Sequence, residues 1–257
     1  MTNETRSESQ SRDCIVVTGA SRGIGAAIAL ALVQQGRNVA CVSRSGALPV
    51  GADAASVIAS RCIGLKADVT HPQDMAQAID GLVADGWRIV GLVNNAGVHT
   101  DAASAALALD DWHKVMDTNA TSVLIACQAA YPHIVSAGGG VIVNIGSFFD
   151  KLGVKRNLAY CASKAAVGAI TRCLAVEWAG KGIRVIDVAP GYIVTDLNSD
   201  LMAAGSPLRA YLEKRIPGRE PGTAAQVAAL VATLFTEAGA FLSGETIYLD
   251  GGQAIAH

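Results

Sequence analysis

Tyr160 and Lys164 place a phenol and an ammonium four residues apart, in the run Tyr160-Cys161-Ala162-Ser163-Lys164. On a helix, residues at this spacing lie on the same face. A free tyrosine has a pKa of about 10 and is a poor acid or base at neutral pH, but a nearby ammonium favours the phenolate. The pair predicts that Tyr160 exchanges a proton with the oxygen of a carbonyl or alcohol group, and that Lys164 lowers the pKa of Tyr160.

Two further polar residues could serve the same reaction. Ser147 stands just after an apolar run at 141–145 and can hydrogen-bond a carbonyl oxygen. Asn119 lies inside an apolar helical stretch, where an amide costs stability unless it is hydrogen-bonded. We expect Asn119 to fix a water molecule that links Lys164 to solvent.

Aromatic residues are expected around the reacting carbon. Phe148 and Phe149 directly follow Ser147, and Tyr192 lies in a later loop. Substrate pockets are mostly apolar, so we expect Ser147, Phe148, Phe149 and Tyr192 to line the substrate pocket. The alternative is that one of the two phenylalanines packs in the core.

Residues 18–25, Thr-Gly-Ala-Ser-Arg-Gly-Ile-Gly, follow the first apolar run and open a helical stretch. Glycines at such a turn let backbone N–H groups approach a pyrophosphate, whose charge the helix N-terminus stabilises. The spacing is G-x-x-x-G-x-G rather than G-x-G-x-x-G, and many strand-to-helix turns contain glycine only for its positive φ. The position of this turn after the first strand favours dinucleotide binding.

The second predicted strand ends at Ser43, and Arg44 follows it. Enzymes that prefer NAD usually carry an acidic residue here, which binds the ribose 2′-hydroxyl. A guanidinium binds a 2′-phosphate instead, and Arg22 in the glycine turn could face the same phosphate. The sequence therefore predicts NADP(H), whose oxidised nicotinamide would further favour the Tyr160 phenolate. The alternative is that both arginines are ordinary exposed residues.

Short β-rich runs alternate with helical stretches along the chain. Strands are predicted at 14–18, 38–43, 62–66, 89–94, 140–145, 184–189 and 246–249, and helices at 23–35, 72–84, 110–136, 158–179 and 223–235. The alternation predicts an α/β fold: a single doubly wound Rossmann domain over residues 13–257, with a seven-stranded parallel sheet and helices on both faces. Residues 1–12 are polar, and we expect a disordered tail there.

Residues 191–221 interrupt this alternation. No strand is predicted in the segment, and its apolar residues are scattered among polar ones. A connection of this length in a compact domain is often functional, so we expect a substrate loop or lid. The alternative is a surface excursion packed against the body of the domain.

Composition and charge exclude several other classes of protein. The 257 residues are 51% hydrophobic and 16% charged, which excludes a disordered chain, and the net charge of −2 offers no broad attraction for nucleic acid or a membrane surface. No apolar stretch is long enough to span a bilayer, and the polar opening residues do not resemble a secretory signal, so we expect a cytoplasmic protein. The cysteines and histidines show no ligand spacing, so no metal site is predicted. His99 is expected to be an exposed loop residue, and the alternative is that it borders the pocket.

Several ordered motifs resemble the short-chain dehydrogenase/reductase family over nearly the whole chain after the tail. The pattern T-G-x-x-x-G-I-G falls at residues 18–25, N-N-A-G falls at residues 94–97, and Ser147 lies thirteen residues before Tyr160, the usual interval in this family. The resemblance implies a catalytic tetrad of Asn119, Ser147, Tyr160 and Lys164. One departure is Gly146 before Ser147, where the family often has serine.

The same resemblance implies where the cofactor binds. Asp68 matches the aspartate that contacts the adenine ring, and residues 190–195 match the segment near the nicotinamide carboxamide. Arg44 matches the subset of the family that prefers NADP. The expected cofactor-binding residues are Gly19, Ser21, Arg22, Gly23, Ile24, Gly25, Ser43, Arg44, Asp68, Val69, Asn95, Ala96, Gly97, Tyr160, Lys164, Pro190, Gly191, Ile193 and Thr195.

Three functions agree with these observations. The first is an NADP(H)-dependent carbonyl reductase or alcohol dehydrogenase that acts on a small-molecule ketone or secondary alcohol. The second, from the same branch of single-domain ketoreductases, is a 3-oxoacyl-thioester reductase. The third is a non-catalytic dinucleotide-binding regulator, and the presence of Ser147, Tyr160 and Lys164 argues against it, because a pure binder needs no phenol–ammonium pair. Relatives commonly pair their equivalents of helices 110–136 and 158–179 between subunits, so a homotetramer is expected.

Overall fold

Seven parallel strands form the central sheet of the computed structural model, which describes residues 12–49, 60–196 and 198–256. The strands in chain order are β1 (Asp13–Thr18), β2 (Asn38–Ser43), β3 (Cys62–Lys66), β4 (Arg88–Asn94), β5 (Gly140–Ile145), β6 (Ile183–Pro190), β7 (Ile193–Val194), β8 (Gly222–Thr223) and β9 (Thr246–Leu249). The sheet order is β3-β2-β1-β4-β5-β6-β9, and β7 pairs separately with β8. The predicted tail at 1–12 lies outside the described residues except for Arg12.

Helices cover both faces of the sheet. They are α1 (Gly23–Gln34), α2 (Pro72–Ala84), α3 (Leu109–Met116), α4 (Ser122–Ser136), α5 (Leu158–Trp178), α6 (Pro207–Arg215) and α7 (Ala224–Leu234). Helices α1 and α7 pack on one face, and α2, α4 and α5 pack on the other. Within the described ranges, no helix is long and apolar enough to cross a membrane.

The strands are continuous apolar runs because both of their faces are buried. Along β1, for example, Ile15 and Val17 belong to the core under α1 and α7, whereas Cys14 and Val16 belong to the core under the other helices. The predicted α/β fold, with a seven-stranded parallel sheet and helices on both faces, is confirmed. The winding reverses between β1 and β4, which places a ligand crevice at the carboxyl ends of these strands.

The helix predicted at 110–136 is interrupted. A π-helical turn at Asp117–Thr121 separates α3 from α4, and Asn119 lies in this turn rather than in a regular helix. Such single turns occur often at functional sites. Apolar periodicity does not reveal this turn because the residues on both sides remain helical.

The prediction that residues 191–221 contain no strand is wrong, because β7 pairs with β8. A helix, α6, also lies in this segment, and the Ser206 hydroxyl caps it by accepting a hydrogen bond from the Arg209 N–H (3.1 Å). Met202, Leu212 and Ile216 form a small buried cluster of their own. Two-residue strands are too short to show an alternating pattern, and α6 carries too few apolar residues to show helical periodicity.

Candidate active site

The loops that follow β1 and β4 are fastened to each other at the point where the winding reverses. The Thr18 hydroxyl accepts hydrogen bonds from the backbone N–H groups of Asn95 (3.0 Å) and Ala96 (3.1 Å). The Asn95 side-chain amide in turn donates to the carbonyl oxygens of Thr18 (3.1 Å) and Gly19 (3.2 Å). The two loops are therefore held at a fixed spacing before any ligand binds.

This close approach requires glycine in the turn at 18–25. Gly19 has a φ of +64°, and a Cβ there would lie 3.0 Å from the Cα of Ala96. A Cβ on Gly25 would lie 2.3 Å from the Gly19 carbonyl oxygen. Arg22 occupies the N-cap of α1 without capping it, so the first turn of the helix has no side-chain acceptor. A helix start in this condition fits an anion such as a pyrophosphate.

One groove of about 1580 Å³ brings most of the expected site residues together. The expected cofactor-binding residues that line it are Gly19, Ser21, Arg22, Gly23, Ile24, Ser43, Arg44, Asp68, Val69, Asn95, Ala96, Gly97, Tyr160, Lys164, Pro190, Gly191, Ile193 and Thr195. Gly25 is the exception, because it lies buried beneath the turn. The expected substrate residues Ser147, Phe148, Phe149 and Tyr192 line the same groove.

The two arginines and Asp68 also line the groove. Arg22 and Arg44 are exposed, as the alternative interpretation of the sequence holds, yet both contribute to the groove wall. The Asp68 carboxylate accepts hydrogen bonds from the Thr70 hydroxyl (2.7 Å) and backbone N–H (3.0 Å). These bonds, together with weaker attraction from His71 and Arg44, hold the pKa of Asp68 below its usual value. Asp68 is therefore an oriented, ionised acceptor at neutral pH.

Asn119 does not line the groove, but its buried side chain is hydrogen-bonded to Val98, which does. Its side-chain oxygen accepts from the Val98 N–H (2.8 Å), and its amide nitrogen donates to the Val98 carbonyl (2.9 Å) and to the Ser163 hydroxyl (3.1 Å). The buried amide is satisfied by these protein groups, and the expected role of Asn119 in holding a water molecule stays a prediction. The side chain fastens the loop after β4 to α5.

Tyr160 lies near the start of α5, with its ring beside His99 and Phe149 at centroid distances of 5.1 and 6.0 Å. Burial raises the pKa of the Tyr160 phenol above its usual value, and the Ser147 hydroxyl acts in the opposite direction. The expected lowering of this pKa is therefore not found in the protein alone. Burial outweighs the hydrogen bond from Ser147, and the Lys164 ammonium lies 5.7 Å from the ring centroid. At neutral pH the phenol holds its proton.

Lys164 is buried on the same helix. Its ammonium donates a hydrogen bond to the Ile145 carbonyl at the end of β5 (2.7 Å). Burial lowers the pKa of Lys164 to about 8, and the negative charge of Asp187 opposes this change. The side chain therefore carries a charge at neutral pH, in a fixed position beside Tyr160.

An aromatic wall faces these polar groups. The Phe148 ring lies 4.7 Å from the Phe149 ring and 5.6 Å from the Tyr192 ring, measured between centroids. Both phenylalanines are buried and also line the groove, so core packing and pocket lining are not alternatives here. Ser147, which caps the short helix Phe148–Lys151, accepts a hydrogen bond from the Phe149 N–H (3.3 Å).

Loops contribute further groove residues. His99 is exposed, as expected, and it also lines the groove, as the alternative interpretation holds. Its Nε2 is hydrogen-bonded to Oδ1 of Asn157, a lining residue that the sequence does not predict. The ion pair between Asp101 and Arg156 joins the same two loops. The only sequence signals for this contact are that His99 follows N-N-A-G and that Asn157 lies three residues before Tyr160. Asn198, Leu201, Met202 and Leu208 line the groove from the segment at 191–221.

The remaining unpredicted lining residues are Val42, Ala67, Thr70, His71, Val98, Asp101, Lys114, Asp117, Thr118, Thr121, Ile145 and Gly146. Half of them are adjacent to a predicted residue along the chain. The part of the chain that the structure describes contains no cluster of three or more histidine, cysteine, aspartate or glutamate residues that could hold a metal ion.

Comparison with known proteins agrees with this geometry. A family model described as "Enoyl-(Acyl carrier protein) reductase" matches residues 19–254. The D-threitol dehydrogenase of Mycolicibacterium smegmatis is 34% identical over 93% of this chain and 92% of its own length. The 3-oxoacyl-[acyl-carrier-protein] reductase of a Synechocystis species is 35% identical over 93% of this chain and 96% of its own length. The crystal structure of a short-chain type dehydrogenase/reductase from Mycobacterium marinum matches with a TM-score of 0.84 and 31% identity, covering 95% of this chain and 96% of that chain.

The chain belongs to the short-chain dehydrogenase/reductase family, as its ordered motifs predict. It is therefore an oxidoreductase of this family, which implies a nicotinamide dinucleotide cofactor and a small-molecule substrate.

Proposed function

We propose that this chain is an NADP(H)-dependent carbonyl reductase or alcohol dehydrogenase, in which Tyr160 is the acid and base. The observation that carries the proposal is that Ser147, Tyr160 and Lys164 line the same groove as the uncapped start of α1. A regulator that only binds a dinucleotide would need the glycine turn but not the phenol. The regulator hypothesis is distinguished by turnover of a ketone with NADPH.

Ser147, Tyr160 and Lys164 have separate roles in the proposed carbonyl reduction. When bound, NADPH supplies the hydride. Ser147 and Tyr160 direct their hydroxyl groups to the carbonyl oxygen, and Tyr160 delivers a proton to this oxygen as negative charge develops on it. The raised pKa of the buried Tyr160 phenol suits this direction, because the donor is protonated at neutral pH. Lys164, held by the Ile145 carbonyl, keeps a positive charge near the phenolate that forms.

We propose that the expected cofactor-binding residues contact different parts of one NADP(H) molecule. The turn at 18–25 and the start of α1 would hold the pyrophosphate, Asp68 and Val69 the adenine, and residues 190–195 the nicotinamide. Arg44 and Arg22 would bind the 2′-phosphate, because both line the groove and Arg44 directly follows β2. Two guanidinium groups are complementary to a phosphate dianion.

This assignment predicts a preference for NADPH over NADH. Changing Arg44 to Asp should weaken the binding of NADPH about tenfold to a hundredfold, since one charge-assisted contact contributes about 1.5–3 kcal/mol. The binding of NADH should change much less, because NADH has no 2′-phosphate. The specificity constants for both cofactors, measured in wild type and Arg44→Asp, test this. Lys181→Asp is the matched control, because Lys181 is exposed, lies outside the groove and precedes the amino end of β6. A wild type that prefers NADH contradicts the assignment.

A 3-oxoacyl-thioester is the alternative substrate class. It is favoured by the 35% identity to the Synechocystis reductase, whose name states this activity. The distinguishing measurement is kcat/KM for a 3-oxoacyl thioester against a panel of simple ketones with the same cofactor. A large preference for the thioester would select the alternative.

The segment at 191–221 is proposed to be the substrate loop of a domain spanning residues 13–257. Leu201, Met202 and Leu208 line the groove, and Leu208 also packs against the small cluster around Leu212. This arrangement gives the segment its own core and lets it contribute apolar surface to the substrate. A cytoplasmic location belongs to the same proposal.

We also propose a homotetramer. Helices α4 and α5 expose apolar side chains, among them Leu124, Leu158 and Val176, which are 40%, 49% and 82% exposed. Covering such side chains in a symmetric interface would remove them from water. Light scattering at micromolar concentration should give about four times the mass of one chain. A monomer at that concentration contradicts the prediction.

A further inference from the structure

A row of polar side chains crosses the apolar sheet at one level. The strand register places Asn94, Asn144, Asp187 and Thr246 side by side on β4, β5, β6 and β9. Asn144 is satisfied, because its oxygen accepts from Asn94 (2.9 Å) and its nitrogen donates to Thr171 (2.8 Å). Asp187 is different, because it brings an ionisable group into the same buried layer.

The Asp187 carboxyl group is completely buried and only partly satisfied. Oδ2 accepts a hydrogen bond from the Thr246 hydroxyl (3.1 Å), whereas Oδ1 has no hydrogen-bond partner among the described residues. The backbone N–H of the adjoining Gly146 donates to the Val188 carbonyl (2.8 Å), and it also favours the ionised carboxyl group, though less than Lys164 and Thr246 do. A carboxylate in this condition needs a nearby positive charge to remain ionised.

Asp187 and Lys164 contact the same short segment of chain. Lys164 binds the carbonyl of Ile145, and Asp187 packs against the next residue, Gly146. A Cβ at position 146 would lie 2.5 Å from Oδ1 of Asp187, so the carboxyl group requires glycine there. This explains the departure at Gly146 from the serine that is common in the family. Ser147 follows directly, so the carboxyl group also supports the backbone that carries Ser147.

Other titratable and charged groups around Asp187 do not replace Lys164. Asp150 and Tyr248, which are hydrogen-bonded to each other (2.7 Å), add negative charge or none. Arg172 on α5 and Asp187 both lie near Gly168, but Arg172 is exposed, whereas Lys164 is buried. Burial raises the pKa of Asp187 to about 6, and the attraction of Lys164 is the largest influence in the opposite direction.

We propose that Asp187 is a positioning residue of the active site, which keeps the buried Lys164 ammonium charged beside the end of β5. The inference rests on the proposed function only in its consequence for turnover. Without the carboxylate, the desolvated Lys164 would lose its proton at a lower pH. The positive charge beside Tyr160 would then be absent at mildly alkaline pH, so Asp187 sets the alkaline limit of the reaction.

The first test follows the titration of Lys164 itself, in the full chain without cofactor. NMR of protein labelled with ¹³C at the lysine ε-carbon reports each ammonium, and Lys164→Met identifies the resonance. We expect a midpoint near pH 8 in wild type, and a midpoint lower by about one unit or more in Asp187→Asn. Asp150→Asn is the matched control, which removes a neighbouring carboxylate and should leave the midpoint in place. An unchanged midpoint in Asp187→Asn, or an equal shift in both variants, overturns the proposal.

The second test is the pH dependence of ketone reduction at saturating NADPH. In Asp187→Asn the alkaline limb of the kcat profile should move to lower pH by the same amount as the Lys164 midpoint. Turnover should be close to wild type near pH 6 and roughly fivefold lower near pH 8, as a one-unit shift requires. A titration shift without a shift of the alkaline limb overturns the positioning role.

The role of Asp187 and the proposed function can be tested independently of each other. If the chain reduces no ketone, the proposed function is wrong, yet the Lys164 titration still decides whether Asp187 controls its charge. Asp187→Ser provides a second variant if Asp187→Asn does not fold, because its small hydroxyl fits beside Gly146 and Thr246 and also removes the charge. The same two outcomes support or overturn the proposal in that variant.

Discussion

Tyr160→Phe is expected to lower turnover by about 10²–10⁴-fold, the usual contribution of general acid–base catalysis. The change removes the proton donor and one hydrogen bond to the carbonyl oxygen, and it keeps the ring that packs between His99 and Phe149. Stability and NADPH binding should therefore change little. Steady-state kinetics, thermal unfolding and fluorescence titration with NADPH measure the three quantities on the same preparation.

Tyr211→Phe is the matched control for this experiment. Tyr211 is on α6, is 49% exposed and does not line the groove. Its variant should keep full turnover and full NADPH binding. An equal loss in both variants would mean that the effect comes from the fold and not from the phenol of Tyr160.

Lys164→Ala is expected to lower turnover and to weaken NADPH binding, whereas Tyr160→Phe should lower turnover alone. The change removes the charge beside Tyr160 and a proposed ribose contact. It also leaves the Asp187 carboxylate buried without its cation, which costs about 3–5 kcal/mol of stability for an ionised group. Kinetics, NADPH titration and urea unfolding measure the three effects.

The loss of stability in Lys164→Ala should depend on pH. The pKa of Asp187 is raised to about 6 already in wild type, and removal of Lys164 should raise it further. A carboxyl group with a raised pKa retains its contribution at low pH, where it is protonated, and loses it as pH rises through the folded-state value. The variant should therefore be much less destabilised near pH 5 than near pH 8. Lys155→Ala, at an exposed residue outside the groove, should show no such dependence. An equal loss at both pH values would contradict the link to Asp187.

The fold is largely predictable from the sequence because burial on both faces leaves a strong signal. All seven predicted sheet strands begin and end within one residue of the observed bounds, and four of them coincide with β2, β3, β5 and β9. The π-helical turn around Asn119 could not be predicted, because it inserts irregular backbone into a stretch with continuous helical composition. The pairing of β7 with β8 depends on contacts between segments that are separated along the chain.

The composition of the candidate site was predictable where the relevant residues lie in motifs. The glycine turn, the loop at 94–97 and Tyr160 with Lys164 lie in one groove, as expected. The contact between His99 and Asn157 could not be predicted, because two loops bring it about only in the folded chain. Asp187 lies within a predicted apolar strand, where an isolated carboxylate gives no periodic signal. The lowering of the Tyr160 pKa expected from Lys164 and an oxidised nicotinamide is not found in the protein alone, because burial of the phenol is a property of the tertiary structure.

The most direct test of the central claim is a single-turnover measurement with NADPH already bound. Enzyme saturated with NADPH is mixed with excess ketone, and the first oxidation of the cofactor is followed in wild type and in folded Tyr160→Phe. Saturation removes any contribution from cofactor affinity, so the rate reports hydride and proton transfer. The proposed role of Tyr160 predicts a rate at least about a hundredfold lower in the variant. A variant that binds NADPH normally and reacts within about tenfold of wild type would contradict that role.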